Sequence, residues 1–184
     1  MANYGHVLDR NSLGAADAKH IIRRCEELKD DRRNWDLLWE EIAHFVLPTK
    51  GGFSQKKNKG ARLTDGIFDS TATTALENLA SGLHGALTAP SGRWFHVRYR
   101  DEELNNNDEA VEWLEDNTNR IYKAFEESNF NSEVNELYLD LCCFGTAAML
   151  VERSHKRSDE ADIDNQMNFR TVHLSEIAIA EDFD

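Results

Sequence analysis

The stretch LASGLHGALTAPSGRWFHVR, residues 79–98, joins a helix of small residues to an aromatic segment through a Pro-Ser-Gly turn. The helical pattern extends from Ile67 to Leu87. Glycine in a helix interior costs about 1 kcal/mol relative to alanine unless a close contact offsets it. Two such glycines therefore predict that a neighbouring helix approaches this face, and we expect Gly82→Leu to disrupt the fold or the assembly. The small face contains Ala72, Ala75, Gly82, Gly85 and Ala89, beside an apolar row at Ile67, Thr71, Ala75, Leu79, Leu83 and Leu87.

The segment that follows, RWFHVRYR at residues 93–100, alternates with a period of two, which predicts a β-strand. One face would be basic, and the other would carry Phe95, Val97 and Tyr99. Trp94 and Phe95 would anchor this strand as it leaves the turn.

A second long helical pattern covers residues 14–47, with Ser12 as its N-cap and Pro48 directly after its end. Unbroken, this helix would measure about 50 Å, which is longer than a compact domain of this size is wide. It either bends back as a hairpin or protrudes to meet other subunits, and the polar run KDDRRN predicts a bend or break within residues 29–34. Its apolar positions alternate three and four apart, interrupted at Arg32: Ala18, Ile21, Cys25, Leu28, Trp35, Trp39, Ile42 and Val46.

Residues 49–66 form a glycine-rich basic loop without an acidic residue before Asp65. Charge runs are usually solvated, so a solvated loop is the first interpretation. The second is a contact with a phosphate or with an acidic neighbouring subunit. The candidate residues for such a contact are Lys50, Lys56, Lys57, Lys59 and Arg62.

The remaining sequence predicts helices followed by a β-hairpin. Asn107 caps one helix, Ser132 begins the next after a break at SNFNS, and Gly145 ends it. The fold class is α+β, mainly helical with long N-terminal helices and a small mixed or antiparallel sheet of about three or four strands. Several apolar helix faces lack an obvious partner, which indicates truncation. The chain divides into long helices (1–48), the basic loop (49–66) and a helix-strand-helix-helix-hairpin body (67–184), whose last strands are 146–152 and 167–174.

The composition disfavours several classes of function. A net charge of −13 over 184 residues argues against a protein that grips nucleic acid. No stretch approaches the roughly 20 apolar residues of a membrane span. The three cysteines form no CxxC pair, so we expect them to be reduced and to pack. The dense acidic residues between Asp101 and Asp116 are a solvated face, or the lining of a passage that keeps a polyanion from sticking.

No motif for catalysis, a cofactor or a metal stands out. The Glu-x-x-His pairs that begin at Glu41 and Glu152 have the spacing of a di-iron bundle, but the second falls where a strand meets a loop. The loop from Asp162 is similar to a calcium-binding EF-hand loop, yet it has Met167 where the sharp turn needs glycine. We therefore expect no metal and no cofactor.

Three stretches, taken together and in order, resemble the portal, or head-to-tail connector, proteins of short-tailed bacteriophages. They are FDSTATTALENLASGLHGALTAPSGRWFHVR (68–98), WLEDNTNRIYKAFEESNFNSEVNELYLDLCCFGTAAMLVE (113–152) and FRTVHLSEIAIAEDFD (169–184). A small-residue helix enters a turn and Trp-Phe, Asn-Phe lies beside a helix ending in Phe-Gly-Thr, and a strand leads to Ala-Glu-Asp. The resemblance extends across residues 35–184.

The resemblance implies a ring of identical subunits, twelve in that family, at one capsid vertex, through which DNA is packaged and ejected. It implies as partners further copies of this chain, capsid protein, the packaging motor (terminase), tail adaptor and internal core proteins, and double-stranded DNA that passes without sequence-specific binding. Family portals are much longer, so this chain is expected to be the N-terminal outer wing, with the stem and clip after Asp184. The resemblance carries over no catalytic residue and places the protein in the virion, after synthesis in the host cytoplasm, with no membrane partner.

Two other classes of function stay open. A metal-dependent or hydrolytic enzyme would use His84, His96 and the acidic cluster, and would purify with a bound metal. A monomeric adaptor would not self-associate. On the portal interpretation, the candidates for packing or for subunit interfaces are Trp35, Trp39, Ala75, Gly82, Gly85, Trp94, Phe95 and Gly145.

Overall fold

The computed structural model describes residues 15–54, 60, 62, 67–100, 102–153 and 167–180, with the backbone alone for residues 15 and 16. Over this part of the chain the fold is α+β and mainly helical, as the sequence predicts. Short 3-10 turns lie at Pro48–Lys50, Leu104–Asn106 and Leu174–Glu176. The helices and strands are α1 (Ala15–Asp31), α2 (Arg33–Val46), α3 (Thr71–Leu87), α4 (Asp108–Glu127), α5 (Phe130–Phe144), β1 (Ala148–Arg153) and β2 (Met167–Val172).

The two N-terminal helices meet at Arg32, inside the predicted break. α2 ends at Val46, so the predicted stop before Pro48 is confirmed as well. α1 does not fold back along α2, and no other described element packs extensively against it. Its side chains from residue 17 onward are exposed, apart from the partly buried Leu28. The predicted cap Ser12 lies outside the described residues.

α3 begins at Thr71, four residues later than the sequence predicts. Asp69 fixes this start, because its Oδ1 accepts the backbone N–H of Thr71 at 2.9 Å and the Thr71 hydroxyl at 2.7 Å. α5 packs along one side of α3, where Ala80 is buried against it, and Leu76 of α3 is buried as well.

The other face of α3 is open to solvent. Leu79 and Leu87 of the apolar row are each 55% exposed. A Cβ placed on Gly82 or Gly85 would have nothing within 4 Å outside the local helix backbone. The close helix approach expected at these glycines is therefore not made within the described part of the chain.

The strand predicted at residues 93–100 is wrong. This segment pairs with no described strand, because the sheet consists of β1 and β2 over that part of the chain. Side chains hold its backbone instead. The Tyr122 hydroxyl accepts the N–H groups of Trp94 and Phe95 at 2.7 Å each and donates to the Phe95 carbonyl at 3.0 Å. The Asn105 amide bonds both the N–H and the carbonyl of Tyr99, each at 3.0 Å.

Three local signals define α4 and α5. The Asn107 side chain accepts the N–H of Glu109 at 3.0 Å, so the predicted cap of α4 is confirmed. α5 begins at Phe130 rather than at Ser132, since the Ser128 hydroxyl accepts the Phe130 N–H at 3.2 Å and closes the break into a tight turn. Gly145 ends α5 with φ at +77°, the left-handed conformation that the C-cap prediction requires.

β1 and β2 pair antiparallel, from Ala148 opposite Val172 to Arg153 opposite Met167, which confirms the predicted hairpin. The described residues contain these two strands rather than the three or four expected. α5 contributes to both buried clusters and is therefore the central element of the body. One cluster contains Ala80, Phe130, Val134, Tyr138 and Phe169; the other contains Trp39, Ala43, Phe144 and Leu174.

Candidate interaction surfaces

A polar cluster, defined by Lys50, Glu136, Asp140 and His173, joins α5 to the start of the basic loop and to the segment after β2. The Lys50 ammonium lies 3.0 Å from Glu136 and 3.3 Å from Asp140, which is 1% exposed. His173 Nε2 donates to the Lys50 carbonyl at 2.6 Å, because a carbonyl can only accept. His173 Nδ1 then accepts the Ser175 N–H at 3.2 Å.

In the polar cluster, burial and the neighbouring charges shift the pKa values of Asp140 and Lys50 in opposite directions. Burial raises the pKa of Asp140, and the charge of Lys50 and its hydrogen bond counteract this only in part. Burial lowers the pKa of Lys50, but the hydrogen bond with Glu136 and the charges of Asp140 and Glu136 raise that pKa overall. Lys50 thus faces two carboxylates of opposite charge, which offsets part of the cost of burying them.

Glu40 fixes the first residues of the basic loop. Its carboxylate accepts the backbone N–H groups of Gly52 at 3.0 Å, Phe53 at 2.6 Å and Ser54 at 3.1 Å. The Phe53 ring then packs 5.6 Å from Trp39 between ring centroids. Of the predicted basic contacts, Lys50 is engaged within the chain and Arg62 is exposed, whereas Lys56, Lys57 and Lys59 lie outside the described residues.

Arg32, the residue that interrupts the apolar spacing of α1 and α2, links α2 to the segment after β2. Its guanidinium donates to the carbonyl of Leu174 at 2.7 Å and also to the carbonyl of Ile177. It pairs with Asp36 at 2.8 Å and lies 5.8 Å from the centre of the Trp39 ring. Arg32 therefore interrupts the apolar spacing because its side chain makes a tertiary contact.

Trp94 and Phe95 attach the segment after the turn to α4 and α5. Trp94 stacks at 6.0 Å on both Phe125 and Phe130. Phe95 stacks at 4.5 Å on Tyr122, whose hydroxyl also holds the backbone of the segment. Ring contacts of these two aromatic residues thus hold the segment in place, where a β-strand would be held by backbone hydrogen bonds to a neighbouring strand.

Large apolar side chains remain exposed on the outer faces of the helices. Trp35 is 58% exposed, although Trp39, one helical turn later, is buried. Ala75, Gly82 and Gly85 lie on the open face of α3. Large exposed apolar patches usually mark interaction sites. Other apolar side chains on these faces are Ile21, Ile22, Leu38, Leu79, Leu87 and Trp113.

The two histidines proposed for an enzyme have different surroundings. His84 Nδ1 is 3.4 Å from the Thr88 hydroxyl, and its ring packs edge-on against Tyr138 at 6.1 Å, whereas His96 lies exposed on the segment after the turn. Among the residues that the structure describes, no three His, Cys, Asp or Glu side chains lie where they could hold a metal. Burial raises the pKa of Cys143 to about 11, so its thiol stays protonated at neutral pH.

The other two cysteines differ in exposure. Cys142 is partly buried, but Cys25 is exposed, which contradicts a packing role for Cys25 in this chain. The histidine of the second Glu-x-x-His pair lies outside the described residues, as do residues 162–166 of the EF-hand-like stretch. The part of that stretch from Met167 to Val172 forms β2 rather than a calcium-binding loop. None of the described helices is long and apolar enough to cross a membrane.

Sequence reasoning missed Arg32, Glu40, Asp140 and His173 as contact residues. Asp140 did give a signal, because it interrupts the apolar run LYLDLCCF. Arg32 gave another by interrupting an otherwise regular spacing. Arg32 and Leu174 are 142 positions apart, and His173 and Lys50 are 123 positions apart, so no local pattern identifies these contacts.

Comparison with known proteins assigns the family. Residues 18–184 match a family model described as bacteriophage head to tail connecting protein. The chain belongs to this family. The matched region begins within α1 and includes the polar cluster, Trp39 and Trp94. The resemblance found in the sequence is therefore confirmed.

Two relatives are named as portal proteins. A probable portal protein of Bordetella phage BPP-1 is 30% identical over 167 residues, which is 90% of this chain and 29% of that protein. The portal protein of Salmonella phage epsilon15 is 25% identical over 158 residues, which is 85% of this chain and 28% of that protein. The chain therefore spans less than a third of the length of these curated relatives.

Proposed function

We propose that this chain is the N-terminal outer wing of a portal subunit. The observation that supports it is the family match over residues 18–184, joined to two relatives named as portal proteins. Copies of the subunit form a closed ring, twelvefold by resemblance to the family, at one capsid vertex of the virion. DNA passes through this ring during packaging and ejection.

The proposal assigns partners to the complete subunit. Besides further copies of itself, the ring contacts capsid protein, the packaging motor, and tail adaptor and internal core proteins. The stem and the clip belong to the part of the subunit outside this wing. The net charge of −13 is compatible with DNA that passes without being held.

The exposed helix faces support an assembling protein. Ile22 and Trp35 are each 58% exposed, and the face of α3 around Gly82 is open. A helix gains most of its stability in a protein by packing its apolar face. In the proposed ring, neighbouring subunits or the rest of the same subunit cover these faces.

Negative-stain electron microscopy of the intact gene product, combined with a mass measurement, tests the proposal. Closed rings with a central hole support it. A stable monomer at high concentration contradicts it and favours the adaptor. A stoichiometric bound metal, found by elemental analysis, would instead favour the enzyme.

A further inference from the structure

The segment at residues 93–100, named here the arginine segment, carries an exposed basic row in an acidic protein. Arg93, His96, Arg98 and Arg100 are all exposed. Arg93 pairs with Glu115 at 3.4 Å. Arg98 and Arg100 form no ion pair with any residue that the structure describes. Two arginines therefore remain available in a chain whose net charge is −13.

The geometry of the arginine segment is fixed before any partner binds. Tyr122 holds its beginning and Asn105 holds Tyr99 near its end. Tyr99 stacks at 6.2 Å on Trp113, which is 58% exposed. Arginine, tyrosine and tryptophan are the residue types that most often dominate the energy of protein interfaces.

A cleft of about 560 Å³ lies between the arginine segment and α4. His96 and Arg98 line one side of it, and Val111 and Leu114 of α4 line another. Within the described residues, the backbone of positions 96–98 makes no hydrogen bond. A partner can thus meet charge, apolar surface and free backbone groups at one place.

The first turns of α4 provide the opposite charge. Asp108, Glu109 and Glu112 are exposed, and none of them pairs with a described cation. Glu109 and Glu112 are three residues apart and therefore share a helix face. We name this surface the acidic face of α4.

We propose that the arginine segment of one copy contacts the acidic face of α4 on the next copy in the ring. This inference rests on the proposed function. The two surfaces have complementary charge, and Arg98 and Arg100 do not pair with Glu109 or Glu112 within one chain. A contact between two different patches of the same chain is heterologous, and a heterologous contact repeated around a closed rotation builds a ring.

DNA fits this surface less well. Glu115 lines the same cleft as Arg93 and Arg98 and pairs with Arg93, and its carboxylate would repel a phosphate backbone. A protein partner that carries acidic side chains is attracted to Arg98 and Arg100 without the uniform negative charge of a phosphate backbone. This chain presents such a surface itself.

The test uses charge reversal in the intact gene product, with assembly measured by mass photometry over a range of protein and salt concentrations. One variant carries Arg98→Glu and Arg100→Glu, another carries Glu109→Arg and Glu112→Arg, and a third combines all four changes. We expect each double variant to need about tenfold or more protein to assemble. The combined variant should recover assembly to within about threefold of wild type, because it restores opposite charges across the contact.

A matched control carries Arg120→Glu and Lys123→Glu, which reverse two charges on the second half of α4, where both residues pair along the helix. It should assemble as wild type does. Unchanged melting of each variant shows that it has folded.

Four results would overturn the inference. Rings that form normally in both double variants leave the portal proposal intact but remove this contact. A combined variant no better than the double variants also removes it. An arginine variant that assembles normally but loses binding to duplex DNA assigns the row to DNA. Wild-type protein that never assembles contradicts this inference together with the proposed function.

Discussion

α1 and α2 share one regular spacing of apolar residues, yet within the described part of the chain only the section from Trp39 onward is covered. In α2, Trp39 is 6% exposed and Ala43 is fully buried against the body. In α1, Ile21 is 41% exposed and Ile22 is 58% exposed. The spacing of apolar residues determines which helix face needs cover, but it does not specify which molecule provides that cover. We infer that the cover of α1 comes from portal assembly.

The largest expected loss of stability comes from removing a buried tryptophan, compared with an exposed one. Trp39→Ala should lower the free energy of unfolding by about 3–5 kcal/mol, because a buried aromatic side chain leaves a cavity. Trp35→Ala, one turn away and 58% exposed, is the matched control and should cost less than about 1 kcal/mol. Urea unfolding of both variants measures the difference, and equal losses would contradict the comparison.

Arg32 tests whether the junction of α1 and α2 belongs to the body. Arg32→Ala should cost about 2–3 kcal/mol, since charged hydrogen bonds to the carbonyls of Leu174 and Ile177 are lost. Arg33→Ala is the control, because Arg33 is exposed and its ion pair among the described residues is with Asp30, nearby in sequence. Equal melting temperatures for the two variants would show that the Arg32 contacts contribute nothing.

The pH dependence of stability tests the polar cluster. The pKa of Asp140 is raised in the folded protein, so the unfolded chain releases this proton at a lower pH than the folded chain does. The contribution of Asp140 to stability is therefore fully present below the unfolded pKa and is lost as the pH rises through the folded pKa. Asp140→Asn should remove this fall in unfolding free energy. A pH profile identical to that of the wild type would contradict the assignment.

The smallest effect on stability is expected at α1. Ile22→Ala should change the free energy of unfolding of this chain by less than about 0.5 kcal/mol, because the side chain is largely exposed. The same change should weaken assembly of the intact gene product, as measured by mass photometry. Weakened folding with normal assembly would reverse the interpretation of α1.

Gly82→Leu extends the same test to α3. No neighbouring atom would obstruct a Cβ at Gly82, so the variant should fold in this chain at least as stably as wild type. Its predicted effect is therefore on assembly. Circular dichroism melting, compared with mass photometry of the intact gene product, distinguishes the two effects.

Local signals in the sequence predict much of the fold. The break at Arg32, the cap at Asn107 and the left-handed Gly145 follow from residue types and spacing within a few positions. These features depend on local backbone chemistry. They are therefore visible without knowledge of the tertiary structure.

Apart from the starts of α3 and α5, which local hydrogen bonds shift by a few residues, the failures occur where distant parts of the chain meet. The alternation at residues 93–100 has a strand period, but a strand also needs a partner, and Tyr122 and Asn105 hold this backbone instead. The contacts of Asp140 with Lys50 join residues 90 positions apart. The family resemblance identifies the kind of protein, but only the structure shows which surfaces this chain leaves open.

Hydrogen exchange with mass spectrometry, comparing the unassembled and the assembled intact gene product, tests the central claim most directly. The claim predicts that amides of α1 exchange at least about tenfold more slowly in the assembled form, whereas those around Trp39 stay unchanged. Fast exchange of α1 in both forms would contradict the claim that assembly covers this helix.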